Sequence, residues 1–193
     1  MKIVLIDYGA GNVQSVKYAL NRLGIEPSLT KDHDEIKSAD KVIFPGVGSA
    51  KAAMEQLKAS GLDALIPTLT QPVLGICVGM QLMCKHSEEG DVQCLGIIDS
   101  EVKKFKPGLK IPHMGWNNIS NLKSPLFQGL PTEHQVYFVH SYYVPVNEYT
   151  IATTDYSNDF SAAIKKDNFY AVQFHAEKSG DIGEQILKKF LAL

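Results

Sequence analysis

Three short, largely apolar runs, at residues 3–6, 41–44 and 73–76, constrain the fold of this chain most strongly. Each run is closed by a glycine-containing turn and is followed by a stretch in which apolar residues recur with helical spacing. Runs this short and this uniformly apolar are typical of strands that are buried on both faces. Strands that alternate with helices predict βαβ units, so we expect a single-domain α/β fold with a largely parallel central sheet flanked by helices.

The second half of the chain has a different pattern. From about residue 94 to residue 174 the helical spacing disappears, and short β-rich runs take its place. These runs lie at residues 101–105, 134–139, 149–154, 160–165 and 169–174. We expect them to add an antiparallel β layer to the parallel sheet.

Polar residues that can cap helices mark where several helices should begin. Asn12 and Ser49 each stand before a stretch with helical spacing, and both residue types are favoured at helix N-termini. A last helix is expected after Asp181, which forms a capping-box pattern with Glu184. No linker or repeat interrupts the sequence, so we predict one domain that spans residues 1–193.

Composition limits the classes of partner that the chain can bind. The 193 residues carry a formal net charge of −2, and Arg22 is the only arginine. A chain without a basic excess is a poor nucleic-acid binder, and bidentate recognition of phosphate usually uses arginine. Residues 64–84 carry no charge but contain prolines, glycines and glutamines, which predicts a buried helix–strand–turn–helix rather than a membrane span.

The three cysteines, Cys77, Cys84 and Cys94, indicate neither a disulfide framework nor a zinc site, because their number is odd and no CxxC pair is present. The apolar run at the N-terminus ends after four residues, too short for a signal-peptide core, so we expect a cytoplasmic protein. The turn at residues 9–11 lacks the third glycine of a dinucleotide fingerprint, and no P-loop is present. No metal and no other cofactor is therefore expected.

The sharpest local pattern places Cys77 between Gly75 and Gly79, after a buried strand and before a helix. This is the spacing of a nucleophile elbow, with cysteine in place of serine. The glycines let the backbone pass through a strained turn, and the start of the helix favours a thiolate. From the pattern alone, Cys77 is either a nucleophile or a small buried residue in a Gly-rich turn; Cys84 and Cys94 lack this setting and are expected to be structural.

A catalytic thiolate needs a base and a group that orients the base, and His175 with Glu177 can supply both. The pair follows the last β-rich run, and residues two apart on an extended segment point the same way. Glu177 can then accept a hydrogen bond from one imidazole nitrogen while the other nitrogen faces the thiol. The alternative for any single histidine is a structural role, in the core or at the surface.

Acyl transfer also needs hydrogen-bond donors for the oxyanion, and Gly46, Val47 and Gly48 are placed to provide them. They follow the strand that we expect beside the Cys77 strand, so both turns should emerge at the same edge of the sheet. Ligands bind outside the carboxyl ends of such strands. The alternative is an ordinary tight turn.

Taken together, these motifs resemble the class I (triad) glutamine amidotransferases, which have a flavodoxin-like fold, and the resemblance extends from end to end. Within that family, further segments resemble the glutaminase subunits of imidazole glycerol phosphate synthases, of histidine biosynthesis. Those segments lie at residues 7–12, 112–117, 137–142 and 175–179. One position departs from the family pattern, which usually has proline between the histidine and the glutamate, where this chain has Ala176.

The resemblance implies a role for each matching residue. Cys77, His175 and Glu177 would form the catalytic triad, and Gly46, Val47 and Gly48 the oxyanion turn. The residues implied to hold the substrate L-glutamine are Gln81, Ser141 and Tyr142. A (β/α)8-barrel cyclase subunit would form a heterodimer with this chain, receive its ammonia and make imidazole glycerol phosphate and an aminoimidazole carboxamide ribotide. The residues implied to lie toward that partner are Asn12, His113, Trp116, His140 and Lys178.

Other functions remain open at this point. A paralogous glutaminase could feed a different synthase, one that aminates a surface-polysaccharide sugar or makes a vitamin, and it would keep the same triad. A stand-alone cysteine hydrolase on the same fold would not need the partner-facing segments. A non-enzymatic subunit would require a broken triad, and the three triad residues are all present.

Overall fold

The fold, taken from a computed structural model, is described here for residues 1–9, 12–106, 108, 110–131 and 134–193. Ala10 and Gly11, from the Gly-rich turn noted in the sequence, lie outside this range. The strands are β1 (Ile3–Ile6), β2 (Ser28–Thr30), β3 (Lys41–Gly46), β4 (Val73–Cys77), β5 (Cys84–Ser87), β6 (Val92–Gln93), β7 (Ile98–Lys104), β8 (His113–Asn118), β9 (Gln135–His140), β10 (Tyr142–Tyr143), β11 (Thr150–Asp155), β12 (Asp159–Lys166) and β13 (Phe169–Val172). The α-helices are α1 (Val13–Arg22), α2 (His33–Lys37), α3 (Ala50–Ser60), α4 (Leu62–Leu65), α5 (Val78–Leu82) and α6 (Gly180–Leu191).

A seven-stranded sheet organises the molecule, with the strand order β11-β12-β13-β4-β3-β1-β2. The five strands from β13 to β2 are parallel, and β12 and β11 continue the sheet in antiparallel pairing. Every residue of β1, β3 and β4 is buried, as expected for strands that are covered on both faces. The expected α/β fold with a largely parallel central sheet is therefore confirmed.

The β-rich second half does not form a separate antiparallel layer over the sheet. β11 and β12 extend the main sheet at its edge, whereas β10, β7, β5 and β6 form a four-stranded sheet of their own. The run at residues 169–174, expected in the antiparallel group, forms β13, which pairs antiparallel with β12 and parallel with β4 and so joins the two parts of the sheet. β8 and β9 form a two-stranded antiparallel pair, the β8–β9 ribbon.

The structure confirms only some of the helix caps predicted from the sequence. Ser49 caps α3 as predicted, since its hydroxyl accepts a hydrogen bond from the backbone N–H of Ala52. Asn12 stands at the N-cap of α1, but its side chain makes no capping hydrogen bond. The capping box at Asp181 is wrong: α6 begins at Gly180, and the Glu184 carboxylate instead pairs with Arg22 at 2.7 Å. None of the helices in the described ranges is long and apolar enough to cross a membrane.

Candidate active site

Three neighbouring strands end at the same edge of the large sheet and bring the predicted site residues together. β4 lies between β3 and β13, so the strand expected beside the Cys77 strand is indeed its neighbour. Gly46, at the end of β3, stands opposite Cys77, at the end of β4. His175 follows the end of β13, whose Val172 pairs with the residue before Cys77. Parallel pairing therefore places the three segments around one point.

Cys77 occupies a strained backbone position at the junction of β4 and α5. Its φ is 55° and its ψ is −111°, which is unusual for a residue with a side chain. Gly79 is needed in this turn, because a Cβ atom there would lie 2.1 Å from the carbonyl oxygen of Phe44. The close packing of α5 on β3 thus explains the second glycine of the motif and holds the sulfur at the sheet edge.

His175 and Glu177 form a buried pair in which His175 Nδ1 lies 2.7 Å from Glu177 Oε1. The contact was expected from an extended segment, but residues 176–178 form a 3₁₀ turn that brings the carboxylate back to the ring. Ala176 is buried in this turn. Ser179 holds residues 175–178 in place, because its hydroxyl donates to the carbonyl of His175 and accepts from the N–H of Tyr137.

The surroundings of His175 favour its charged form. Burial alone would lower the pKa of this imidazole, but hydrogen bonds to Cys77 and Glu177 outweigh burial and raise it to about 10. The raised pKa favours the imidazolium form of the ring, which can give a proton to a leaving group. This arrangement combines a nucleophile, a proton donor and an orienting carboxylate.

A cavity of about 290 Å³ opens beside the sulfur of Cys77. The predicted residues Val47, Gly48, Cys77, Gln81, His140, Ser141, Tyr142 and His175 line it, together with Val78, Glu89, Pro112 and Val139. Glu177 lies behind His175, and Gly46 closes the end of β3. A larger groove of about 930 Å³ lies elsewhere, between the β8–β9 ribbon and the start of α6, and none of the triad residues lines it. The smaller cavity is the one that can carry acyl chemistry.

Two further side chains support the site and were not singled out from the sequence. Tyr8 is buried, and its hydroxyl donates to the carbonyl of Pro45 at 3.1 Å, just before the turn of Gly46, Val47 and Gly48. Burial and the nearby Cys77 raise the pKa of Tyr8, so it stays a neutral donor. Gln173 is fully buried and contacts Cys77. Its signal in the sequence is an uncharged amide that interrupts an apolar run just before His175.

The residues expected toward a partner divide into two groups. Trp116 and Lys178 are exposed, and Asn12 is half-buried. His113 and His140 are buried beneath the β8–β9 ribbon, and their place toward a partner stays a prediction. The alternation of the ribbon explains the difference, because Met114 and Trp116 point outward and are 61% and 54% exposed, whereas the histidines point inward.

Comparisons with known proteins agree with this geometry. Residues 4–193 match the family model described as glutamine amidotransferase class-I. The chain is 62% identical, over 196 aligned residues and 100% of both chains, to the imidazole glycerol phosphate synthase subunit HisH of Bacteroides fragilis (strain YCH46). It is 50% identical, again over 100% of both chains, to the HisH subunit of Escherichia coli (strain K12).

Solved structures resemble the chain in fold. A putative GMP synthase protein from Thermoplasma acidophilum matches with a TM-score of 0.76 at 23% identity, over 100% of this chain and 92% of that one. A glutamine amidotransferase structure matches with a TM-score of 0.77 at 18% identity, over 98% of this chain and 97% of that one. At these identities the likeness extends to the fold alone.

Proposed function

The chain belongs to the class-I glutamine amidotransferase family, and on that premise we propose that it is a glutaminase subunit that supplies ammonia to an imidazole glycerol phosphate synthase of histidine biosynthesis. It hydrolyses L-glutamine to glutamate and ammonia. The observation that carries this proposal is the strained Cys77 beside a buried His175–Glu177 pair, with a cavity large enough for one amino acid in front of the sulfur.

The proposed reaction has two halves. In the first, the Cys77 thiolate attacks the side-chain amide carbon of glutamine, His175 gives its proton to the leaving nitrogen, and ammonia departs as the thioester forms. In the second, His175 takes a proton from water, hydroxide attacks the thioester, and the thiolate leaves with glutamate released. Glu177 orients His175 and stabilises its positive charge in both halves.

The oxyanion of each tetrahedral intermediate needs donors near Cys77, and the turn of Gly46, Val47 and Gly48 is our candidate for them. Val47 and Gly48 line the cavity, and Gly48 has a φ of 84°, which favours glycine. A turn that contains glycine on both sides of Val47 can hold the intervening peptides in more than one orientation. Such a peptide can present an N–H group to the oxyanion or a carbonyl that repels it.

We propose that glutamine binds between Gln81 and the backbone of Ser141 and Tyr142. All three residues line the cavity, and Gln81 Nε2 donates to the carbonyl of Tyr142 at 2.9 Å, which ties the two sides of the cavity together. A site with several fixed polar groups distinguishes an amino acid substrate by its charged ends.

We further propose that a (β/α)8-barrel cyclase docks on the outward face of the β8–β9 ribbon. Trp116 stands opposite Tyr137 in the ribbon, and their rings lie 6.0 Å apart. The backbone carbonyl of Tyr137 accepts from the N–H of His175, so contact at this face bears directly on the triad segment. Exposed aromatic residues beside a catalytic site are typical of a docking surface.

The phosphates of the ribotide substrate are assigned to the cyclase. The only arginine here, Arg22, is already paired with Glu184, away from the residues that line the cavity. The cyclase converts a phosphoribosyl-formimino carboxamide ribotide and the delivered ammonia into imidazole glycerol phosphate and an aminoimidazole carboxamide ribotide. A cytoplasmic location suits this chemistry, which depends on a free thiol.

The experiment is a measurement of both activities with the cyclase and its ribotide ligand present. We expect glutamate release by the wild type, and we expect Cys77→Ala to abolish glutamine-dependent synthesis while it spares synthesis from an added ammonium salt. Cys94→Ala is the matched control, since Cys94 lies outside the cavity, and it should retain both activities. Loss of the ammonium-dependent activity in a Cys77→Ala variant that still binds the cyclase would contradict the proposal.

A further inference from the structure

Gln173 connects the nucleophile to the substrate side of the cavity. The side chain is 0% exposed, although glutamine is usually found at protein surfaces. Its Nε2 lies 3.7 Å from the sulfur of Cys77, within hydrogen-bond distance for sulfur, and its Oε1 accepts from Gln81 Nε2 at 2.9 Å. A single buried amide thus contacts both the attacking atom and a residue that we assign to glutamine binding.

The neighbouring hydrogen bonds determine which way each amide points. The carbonyl of Tyr142 can only accept, so the Gln81 atom that faces it at 2.9 Å is the nitrogen. The same Gln81 nitrogen faces Gln173, so the Gln173 atom in that contact is the oxygen. The nitrogen of Gln173 is therefore the atom that faces the sulfur. The hydrogen bonds of Gln81 therefore fix the orientation of the Gln173 amide, and its N–H group is the donor to Cys77.

A second chain of donors reaches the same carbonyl from the β8–β9 ribbon. His140 Nδ1 lies 2.7 Å from the carbonyl of Tyr142, so this nitrogen carries a proton. His140 Nε2 then accepts from His113 Nδ1 at 3.1 Å. The Tyr142 carbonyl thus accepts from two donors, His140 Nδ1 and Gln81 Nε2. Gln81 is held by this carbonyl on one side and by Gln173 on the other. Both hydrogen bonds of Gln81 use Nε2, and its Oε1 takes part in neither.

We propose that Gln173 is a positioning residue that sets the sulfur of Cys77 and the side chain of Gln81 at a fixed separation. The inference rests on the proposed function, in which Gln81 contacts glutamine. The N–H group of Gln173 directs and stabilises the thiolate, and its carbonyl keeps the amide of Gln81 from rotating. The backbone cannot easily relax, because the N–H of Gln173 is bonded to the carbonyl of Ala162 at 2.8 Å.

Two substitutions separate the two contacts. Gln173→Met has a similar length and loses both, so we expect a turnover about ten- to hundredfold lower, as for the loss of one hydrogen bond to a charged group, and a raised KM for glutamine. Gln173→Glu keeps an acceptor for Gln81, so its KM should stay within about twofold of the wild type. Thr154→Val removes a buried hydrogen bond to Asn118 far from the sulfur and serves as the control for burial.

A readout that does not depend on turnover is the pH profile of Cys77 alkylation by iodoacetamide, followed by peptide mass spectrometry. Burial raises the pKa of Cys84, and raises that of Cys94 to about 12, so both react slowly. We expect the midpoint for Cys77 to move upward by about one pH unit or more in Gln173→Met, because the thiolate loses a donor. Thr154→Val should keep the wild-type midpoint.

The outcomes are distinguishable once circular dichroism shows that the variants are folded. A wild type that releases no glutamate with the loaded cyclase contradicts the proposed function, whatever the alkylation profile of Cys77. An active wild type whose Gln173→Met variant keeps both its turnover and its alkylation midpoint overturns the role of Gln173 alone. An equal rise in KM in the Met and Glu variants would disprove the contact with Gln81 as the source of positioning.

Discussion

Two regions of this molecule bury histidines, and they shift the pKa of the ring in opposite directions. At the edge of the large sheet, His175 has a pKa raised to about 10, because hydrogen bonds to Cys77 and Glu177 outweigh burial. Beneath the β8–β9 ribbon, burial lowers the pKa of His113 to about 4 and that of His140 to about 3. The buried partner of each ribbon histidine is another neutral ring, packed among aromatic side chains.

The difference shows that the partner decides what a buried histidine does. Hydrogen bonds to Cys77 and to the Glu177 carboxylate, 2.7 Å from the ring, favour the charged form of His175, which is suited to give a proton to the leaving group of an amide. Among the described residues, no carboxylate forms a hydrogen bond with His113 or His140, and burial favours their neutral forms, which can position their neighbours. We therefore assign the chemistry to the edge of the sheet, whereas the ribbon packs against the cavity and exposes Trp116 on its outer face.

The largest effect on turnover should come from replacing Glu177, whose carboxylate stabilises the positive charge of His175. In Glu177→Gln the amide can still contact the ring, but it stabilises the imidazolium less and can select the wrong tautomer. Loss of a triad carboxylate can reduce turnover by about 10⁴-fold, and we expect a loss approaching that size. The measurement is steady-state glutaminase activity with the loaded cyclase. Turnover close to that of the wild type would remove Glu177 from the triad and make the two histidine regions equivalent.

The second-largest effect on turnover should come from the turn of Gly46, Val47 and Gly48, our candidate for the oxyanion donors. We expect low glutaminase activity from the isolated chain and at least about 10²-fold stimulation by the cyclase with its ligand, which is the value of one oxyanion donor. Gly48→Pro removes an N–H group and cannot adopt a φ of 84°, so the stimulation should disappear. Gly48→Ala, which keeps the N–H, is the control and should retain part of it. Full activity of the isolated chain would contradict this control mechanism.

A smaller effect is expected on the ribbon side, where the outward face should govern docking rather than chemistry. Trp116→Ala should weaken binding of the cyclase by about 2 kcal/mol, the threshold of an interface hot spot, and should leave the alkylation of Cys77 unchanged. Isothermal titration calorimetry measures the affinity. Tyr18→Ala, which removes a similarly exposed aromatic on α1, is the control and should bind normally. If the two variants bind equally well, the ribbon is not the docking face.

Three of the five parallel strands could be predicted because they are buried on both faces, whereas the half-buried β2 was not identified. β1, β3 and β4 are largely apolar runs, and parallel pairing then requires that Gly46 and Cys77 emerge together. The elbow at Cys77 and the pair of His175 with Glu177 were also visible, because each is local in sequence.

The ribbon was harder to predict because its strand β8 carries little β propensity and exposes apolar side chains on its outer face. Its alternation therefore does not separate apolar from polar residues. The contact between Gln173 and Cys77 joins positions 96 residues apart, and no local sequence pattern predicts it. The charge of a buried histidine likewise depends on partners that only the tertiary structure brings together.

The last prediction tests the neutral ribbon histidines through the pH dependence of stability. Because their pKa values in the folded chain lie below the value of about 6.5 for an unfolded histidine, the unfolded state binds more protons on acidification. Stability is therefore fully present above about pH 6.5 and falls as the pH is lowered toward 4. Each histidine contributes a slope of up to about 1.4 kcal/mol per pH unit. His175 stays protonated in the folded chain throughout this range, so it opposes this slope only near pH 6.5, where the unfolded histidine is still titrating, and contributes little below about pH 5.5.

Urea unfolding between pH 6.5 and 4.5 measures this slope. His113→Gln cannot titrate but can still donate to His140, so it should lose the share of the slope that belongs to one histidine. Asn117→Ala is the matched control: it removes the amide that lies 3.4 Å from His113, so it should lower stability at every pH and keep the wild-type slope. A slope in His113→Gln equal to that of the wild type would mean that the ribbon ring is charged in the folded chain. The two regions would then differ in geometry but not in charge.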